Sequence, residues 1–175
     1  MNRIIILLLV LGSLNTWAQF EPVAETPSTF SLGLGIGLDY GGIGGRATFS
    51  PIPSFGVFGS LGYAIAGVGF NAGLQYRISP DNNIVPVLTA MYGYNAALKV
   101  TGAFEVNELY YGPSLGAGVE FKSKRNTKNY FSLELLVPFR DSQFDKDREF
   151  YKNLGVEFND VFPVTISLGY HFGLN

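Results

Sequence analysis

The chain contains no cysteine and only one histidine among its 175 residues. Without cysteine there can be no disulfide bond, thiolate metal site, thiol catalysis or lipid-anchored N-terminal cysteine. Charged residues make up 15% of the chain, against about 25% in an ordinary soluble protein. The 12 basic and 14 acidic residues nearly cancel, whereas a nucleic-acid-binding domain normally carries a clear basic excess. We therefore expect no nucleic-acid partner.

The chain also lacks an apolar run long enough to cross a bilayer as a helix, which takes about 20 residues. A short apolar stretch, 4–11, follows Arg3, and 16–18 (Thr-Trp-Ala) resembles a signal-peptidase site. We predict that residues 1–18 are a cleaved signal peptide and that 19–29 form a periplasmic lead. The chain would then be exported and could not be a helical membrane protein.

Glycine is abundant, with 22 residues against a usual level of roughly 7%, and much of it falls in a strict two-residue alternation. Such alternation predicts β-strands, because successive side chains in a strand point to opposite faces. In the clearest segment, 30–40, one face carries Phe30, Leu32, Leu34, Ile36, Leu38 and Tyr40, and the other Ser31, Gly33, Gly35, Gly37 and Asp39. Seven more segments alternate in the same way, at about 43–50, 55–66, 68–78, 84–95, 110–121, 130–139 and 163–172.

In every segment one face is bulky and apolar, and the other is rich in glycine and small polar residues. A soluble sandwich would bury the bulky face and expose mostly glycine to water. The opposite orientation suits a membrane barrel, in which bulky residues face lipid and small or polar ones fill a narrow lumen. Aromatic residues near the strand ends match the two aromatic girdles of such barrels. We predict an all-β fold, a closed antiparallel eight-stranded transmembrane up-and-down β-barrel over residues 30–175.

The connecting segments are consistent with two periplasmic termini. Short turns would then lie on the periplasmic side, and the long loops 96–109 and 140–162 would lie outside, where membrane barrels usually carry them.

The sequence resembles the small outer-membrane β-barrels of Gram-negative bacteria, the eight-stranded proteins of the OmpA-domain and OmpX type. The resemblance covers roughly residues 30–172 and rests on the alternation, the glycine usage and the last strand, 164–172, which ends in the aromatic Phe172. It implies a location in the outer membrane and insertion by the barrel assembly machinery. Known members include structural proteins, adhesins and a few enzymes, so the resemblance implies location more than activity.

Five charged residues fall on the predicted lumen face: Asp39, Arg46, Arg77, Glu120 and Glu134. Charges away from bulk water need partners, so we predict a paired, hydrogen-bonded network that plugs the barrel. A gated conduit with exchanging salt bridges is the alternative. An eight-stranded interior is only just wide enough for its own side chains, which argues against a large pore.

The single histidine, His171, lies on the lumen face, and the nearest serine there is Ser167. An esterase-like site would need serine, histidine and an acidic residue to converge. We predict a structural histidine, no catalytic residue, no cofactor and no metal site.

Loop 140–162 is the predicted working surface. Its sequence predicts a short helix capped by Ser142 and ended by Gly155. The apolar and basic residues that would form its contact surface are Phe144, Arg148, Phe150, Tyr151 and Leu154. This segment could fold as a lid over the barrel mouth or provide a docking site for a partner.

Two charged clusters have weaker interpretations. Asp145, Asp147 and Glu149 alternate as calcium ligands can, but Phe150 stands where an EF-hand loop needs glycine. Lys122, Lys124, Arg125 and Lys128 form a basic turn, for which contact with anionic headgroups or simple solubility is the expected role.

The leading hypothesis is therefore a non-enzymatic integral outer-membrane barrel, surrounded by outer-membrane lipid, with a structural role or a protein partner at its extracellular loops. The alternative is a lipid-modifying enzyme or narrow solute conduit on the same scaffold. A third hypothesis is a soluble exported binding protein with the apolar face inside.

Overall fold

A computed structural model describes residues 29–100, 106–156, 158 and 162–174. The predicted signal peptide, 1–18, and all but the last residue of the predicted lead, 19–29, lie outside this part of the chain.

Eight antiparallel strands form a closed barrel in which each strand pairs with its neighbours in sequence and β8 returns to β1. The predicted all-β, eight-stranded up-and-down topology is confirmed. The strands are β1 (Thr29–Gly37), β2 (Gly42–Ile52), β3 (Phe55–Ala64), β4 (Gly67–Arg77), β5 (Ile84–Val100), β6 (Val106–Lys122), β7 (Tyr130–Pro138) and β8 (Thr165–Leu174).

The bulky apolar face points out of the barrel all the way round. Leu34 of β1 is 68% exposed, and similarly placed residues on every other strand are also exposed. The interior is mostly polar and includes buried serine, threonine, asparagine, glutamine and charged side chains. This is the reverse of a soluble protein, in which the large apolar residues are the ones removed from water.

The chain leaves β1 earlier than the alternation predicts. Gly37 adopts φ 140° and ψ −174°, and Leu38–Tyr40 then form a short 3₁₀ turn that folds into the barrel. Leu38 and Tyr40 are consequently buried, so the prediction that they face outward is wrong. The alternation continues through this segment in the sequence, but the backbone turn redirects the side chains.

We expect Gly37→Ala to destabilise the barrel by about 1–3 kcal/mol, because its backbone conformation is essentially restricted to glycine. An added Cβ would also overlap the Ser167 side chain on β8. Chemical unfolding in detergent measures the effect. Gly155→Ala is the control, since Gly155 also has a positive φ but a Cβ there meets nothing within 4 Å. Equal decreases in the free energy of unfolding of the two variants would show that the close contact between Gly37 and Ser167 contributes nothing to the effect.

Strands β5 and β6 continue beyond the barrel wall, so the prediction of an irregular loop over 96–109 is wrong for the described part of that segment. β5 pairs with β4 only as far as Gly93, and β6 pairs with β7 only from Ser114. Beyond these points the two strands pair only with each other, as far as Val100 and Val106. We call this two-stranded extension, 94–100 with 106–113, the protruding hairpin.

A bulge between Tyr94 and Ala96 shifts the register of the protruding hairpin. It brings Ala96, Leu98 and Val100 onto the same buried face as Tyr110. Because a bulge reverses the alternation in one strand only, this part of the sequence lacks a clean two-residue pattern. For this reason the sequence predicted a long loop where the structure has a paired hairpin.

Loop 140–162 contains the predicted helix, α1 (Ser142–Asn153). Asp141, rather than the predicted Ser142, is the N-cap: its carboxylate accepts a hydrogen bond from the Gln143 amide at 3.0 Å. That bond is the main reason why the pKa of Asp141 is lowered. Within the part of the chain that the structure describes, no helix is long and apolar enough to cross a membrane.

Candidate functional site

The five charged residues predicted to face the lumen all lie buried inside the barrel. Arg46, on β2, contacts two carboxylates through one nitrogen. Its Nη1 atom lies 2.6 Å from Asp39 Oδ2 and 3.2 Å from Glu134 Oε1. The guanidinium carbon also lies 3.7 Å from the centre of the Phe58 ring, a distance at which cation–π attraction is favourable.

The second ion pair joins Arg77 to Glu120, with 2.8 Å between Nε and Oε2. Gln75 connects it to the first group. The Gln75 amide donates to Glu134 Oε1 at 3.3 Å, and its carbonyl accepts from Arg77 Nη2 at 3.0 Å. All five predicted residues thus belong to one hydrogen-bonded network that spans the interior.

Such a network adds little net stability to the folded barrel, but breaking one of its ion pairs destabilises the barrel strongly. Desolvation of paired charges offsets much of their attraction, but loss of one partner leaves a buried charge that costs about 3–5 kcal/mol. Thr89 donates a further hydrogen bond of 2.6 Å to the second oxygen of Glu134. The arrangement therefore favours a single fixed interior.

His171 belongs to an aromatic cluster that the sequence did not predict, and Tyr130 links this cluster to the charged network by accepting a hydrogen bond from Arg77 Nη2 at 3.4 Å. Its Nε2 atom lies 2.6 Å from the Tyr40 hydroxyl and 3.4 Å from Ser132 Oγ, and its ring stacks on Tyr130 with 4.4 Å between centres. The signal available in the sequence was two-residue alternation, which placed Tyr130 and His171 on the lumen side. Tyr40 could not be found, because the 3₁₀ turn brings it inward.

The geometry does not join the serine and histidine considered for catalysis. Ser167 donates a hydrogen bond to Asp39, while the partners of His171 Nε2 are Tyr40 and Ser132. Ser167 and His171 are four residues apart on extended β8, about 13 Å at 3.3 Å per residue. They cannot act as a nucleophile and its base in this arrangement.

A buried apolar cluster lies beside the polar network inside the barrel, and Phe58 is where the two meet. The cluster consists of Leu38, Phe58, Met91 and Leu136, with Tyr94 packed against it. Three of these are large residues on the otherwise small or polar lumen face of their strands, which was a visible sequence signal for a filled interior. Polar and apolar side chains together therefore fill the barrel interior.

Helix α1 packs on the buried face of the protruding hairpin. Phe144, only 4% exposed, contacts a cluster that includes Leu98, Val100 and Tyr110, and its ring meets Tyr110 edge-on at 5.2 Å. On β6 this buried face continues through Gly112 and Ser114 into the barrel lumen. The helix thus lies on the side of the hairpin that continues into the lumen. We call the hairpin and helix together the head.

Hydrogen bonds reinforce this packing. The Tyr110 hydroxyl lies 2.7 Å from Glu108 Oε2 and 2.8 Å from Asp147 Oδ2, so it links the hairpin to the helix. Burial, together with these two carboxylates, raises the pKa of Tyr110. The phenol therefore remains a neutral donor at physiological pH.

The predicted contact surface is divided between the two sides of the helix. Phe144 is buried and Tyr151 packs against the same cluster, while Arg148 is partly buried. Phe150 and Leu154 are 59% and 57% exposed, so they do not share the packed face. Phe162, 79% exposed, adds a third apolar side chain to the exposed surface of this segment.

We expect Phe144→Ala to loosen helix α1 from the hairpin. The free energy of this packing should fall by no less than the edge-to-face aromatic pair contributes, about 0.5–1.5 kcal/mol. Hydrogen exchange should show faster exchange in α1 and unchanged protection in β1–β4. Phe150→Ala is the matched control, since the same truncation at an exposed position should leave exchange unaltered. Comparable acceleration in both variants would contradict the packing described.

Among the described residues, no group of three histidine, aspartate or glutamate side chains is arranged to hold a metal ion. Of the three acidic residues considered as calcium ligands, Asp147 is engaged by Gln143 through one oxygen and by Tyr110 through the other.

Comparison with known proteins identifies a similar fold. No protein-family model and no curated protein matches the chain. Among solved structures, the N-terminal β-barrel domain of OprF from Pseudomonas aeruginosa is similar, with a TM-score of 0.55 and 11% sequence identity. The similarity covers 83% of this chain and 97% of that domain. At this identity it concerns the architecture alone, and it agrees with the eight-stranded barrel described above.

Proposed function

We propose that the chain is an integral outer-membrane β-barrel protein of the small eight-stranded type, with a sealed interior and no catalytic activity. Its role would be structural or would consist of contact with a protein partner through the head. The observation that carries the membrane assignment is the orientation of the wall, with bulky apolar residues outside and a charged, hydrogen-bonded network inside.

The outward surface supports a lipid environment because it forms a continuous apolar band around a closed sheet. A monomeric soluble protein rarely exposes a contiguous apolar patch above a few hundred Å². In hydrocarbon the same band is favourable, and barrel closure satisfies every strand edge. The similarity to an OprF barrel domain and the export signal predicted from the sequence both support the outer membrane of a Gram-negative bacterium, with insertion by the barrel assembly machinery.

Membrane association can be tested by fractionation. After cell lysis, the protein should remain in the membrane pellet through alkaline carbonate washing and be released by detergent. Recovery in the aqueous fraction without detergent would favour the soluble binding protein instead.

The filled interior argues against a conduit. The ion-paired network and the apolar cluster of Leu38, Phe58, Met91 and Leu136 are both buried inside the barrel. We expect no discrete conductance steps when the purified protein is reconstituted in planar bilayers. Regular single-channel openings would show that the network rearranges and would support the conduit alternative.

The head supports the partner role because Phe150 and the C-cap residue Leu154 are exposed there although barrel closure does not need them. Phe162, shortly before β8, is exposed as well. A photoreactive residue at position 150 should crosslink to a specific protein in native membranes, and Phe150→Ser with Leu154→Ser should abolish that protein's co-purification. Ile65→Ser is the control, as Ile65 is 73% exposed in the β3–β4 turn at the same end of the barrel. Co-purification that survives the head variant would exclude this surface.

A further inference from the structure

The end of the barrel where β1 begins and β8 ends contains a cavity of about 200 Å³. Its wall includes the start of β1, the end of β8 and residues from the turns between β2 and β3, β4 and β5, and β6 and β7. At roughly 30 Å³ per water molecule, it has room for six or seven waters or for one small polar ligand. We call it the terminal cavity.

Positive charge predominates in the terminal cavity. Arg77, Lys122 and Lys128 line it, and Glu120 is the one carboxylate among its lining residues. Glu120 is paired with Arg77. The two lysines come from the basic turn and its edge, whereas Lys124 and Arg125 of the same turn do not line the cavity. Part of the surface charge cluster therefore lies along a partly open cavity, with Lys122 half-buried and Lys128 exposed at its edge.

Arg77 retains hydrogen-bonding capacity towards a ligand. Its Nε donates to Glu120 and its Nη2 to Gln75 and to the Tyr130 hydroxyl, while Nη1 donates to Ser50 at 2.9 Å. An arginine Nη group carries two protons, so one donor on Nη1 has no assigned acceptor among the described residues. Because Nε and Nη2 are occupied, Arg77 has no free fork for a planar carboxylate.

These observations point to a particular ligand chemistry. One guanidinium donor and two lysine ammonium groups suit a tetrahedral oxyanion, for which lysine acts as a compact point charge. The Lys122 ammonium also donates to the Pro80 carbonyl, which leaves its other protons for a ligand. The hydroxyl groups of Ser31, Ser50 and Tyr130 line the same space. Ser31 and Tyr130 are hydrogen-bonded to each other, while Ser50 accepts from Arg77 and keeps its own proton for a ligand. We propose that the terminal cavity is a binding site for a phosphate group, carried either by a small soluble molecule or by a phospholipid headgroup at the membrane rim.

The proposal concerns the opposite end of the barrel from the head, so it does not depend on the partner role. The protein would be purified in a detergent without phosphate, with folding checked by circular dichroism. Calorimetric titration with inorganic phosphate and with glycerol 3-phosphate tests the soluble source. Native mass spectrometry with phosphatidic acid, compared with diacylglycerol, tests the lipid source. Saturable binding in either arm supports the proposal and identifies the source.

Matched double variants separate a site from general charge attraction. Lys122→Ala with Lys128→Ala should weaken binding at least tenfold, whereas Lys124→Ala with Arg125→Ala removes the same charge from the same turn and should change affinity less than threefold. Glu120→Gln should tighten binding, because it removes the negative charge beside Arg77. The proposal is overturned if no phosphate compound binds in either arm, or if both double variants weaken binding equally.

Discussion

Arg46→Met should destabilise the barrel by about 3–5 kcal/mol, because it leaves two carboxylates buried without their positive partner. Asp39 and Glu134 both contact Nη1 of this arginine, and the side chains of all three are about 1% exposed. Methionine retains much of the side-chain length and apolar contact with Phe58, so the loss should reflect charge. Urea unfolding in lipid vesicles, analysed by the midpoint and slope of the transition, measures it.

Two further variants define the cause. Arg125→Met makes the same substitution at an exposed turn position, where a change within about 0.5 kcal/mol is expected. Combining Arg46→Met with Asp39→Asn and Glu134→Gln removes all three charges and should recover much of the stability, since no isolated buried charge remains. If Arg46→Met behaved like the Arg125 control, the interior network would not be a determinant of folding.

The sequence was sufficient to predict the barrel and which side chains point outward, because both follow from the two-residue alternation within each strand. Alternation in a strand assigns every side chain to a face, so Arg46, Arg77 and Glu134 could be placed inside without knowledge of their neighbours. Which charges pair is a different matter. Pairing depends on strand register and on tilt around the barrel, and the bridging role of Gln75 between Arg77 and Glu134 follows from that three-dimensional arrangement.

The wrong predictions occur where the backbone departs from a regular strand. The conformation of Gly37 ends β1 and turns Tyr40 from the outside to the lumen, where it meets His171. The bulge after Tyr94 likewise interrupts the two-residue alternation, so the protruding hairpin could not be predicted from that pattern. Both devices involve one or two residues, and both position parts of the candidate sites. The functional arrangement therefore depends on the same local irregularities that weaken the sequence pattern.

Leu34→Arg provides the most direct test of which side of the wall meets lipid. Leu34 is 68% exposed near the middle of β1 and lies opposite Tyr170 of β8 in the register. At the bilayer midplane an outward arginine should cost about 2–4 kcal/mol. At an exposed position of a water-soluble protein, the same substitution should change stability by no more than about 0.5 kcal/mol. The two environments thus predict different results from one variant.

Leu154→Arg is the matched control, because Leu154 is 57% exposed but lies in the head, beyond the barrel wall. Unfolding of both variants in vesicles should show a large loss for Leu34→Arg and a near-neutral effect for Leu154→Arg. Equal, small effects would place Leu34 in water and contradict the membrane assignment. Neither side chain belongs to a buried cluster, so loss of core packing cannot account for a large difference between the two variants.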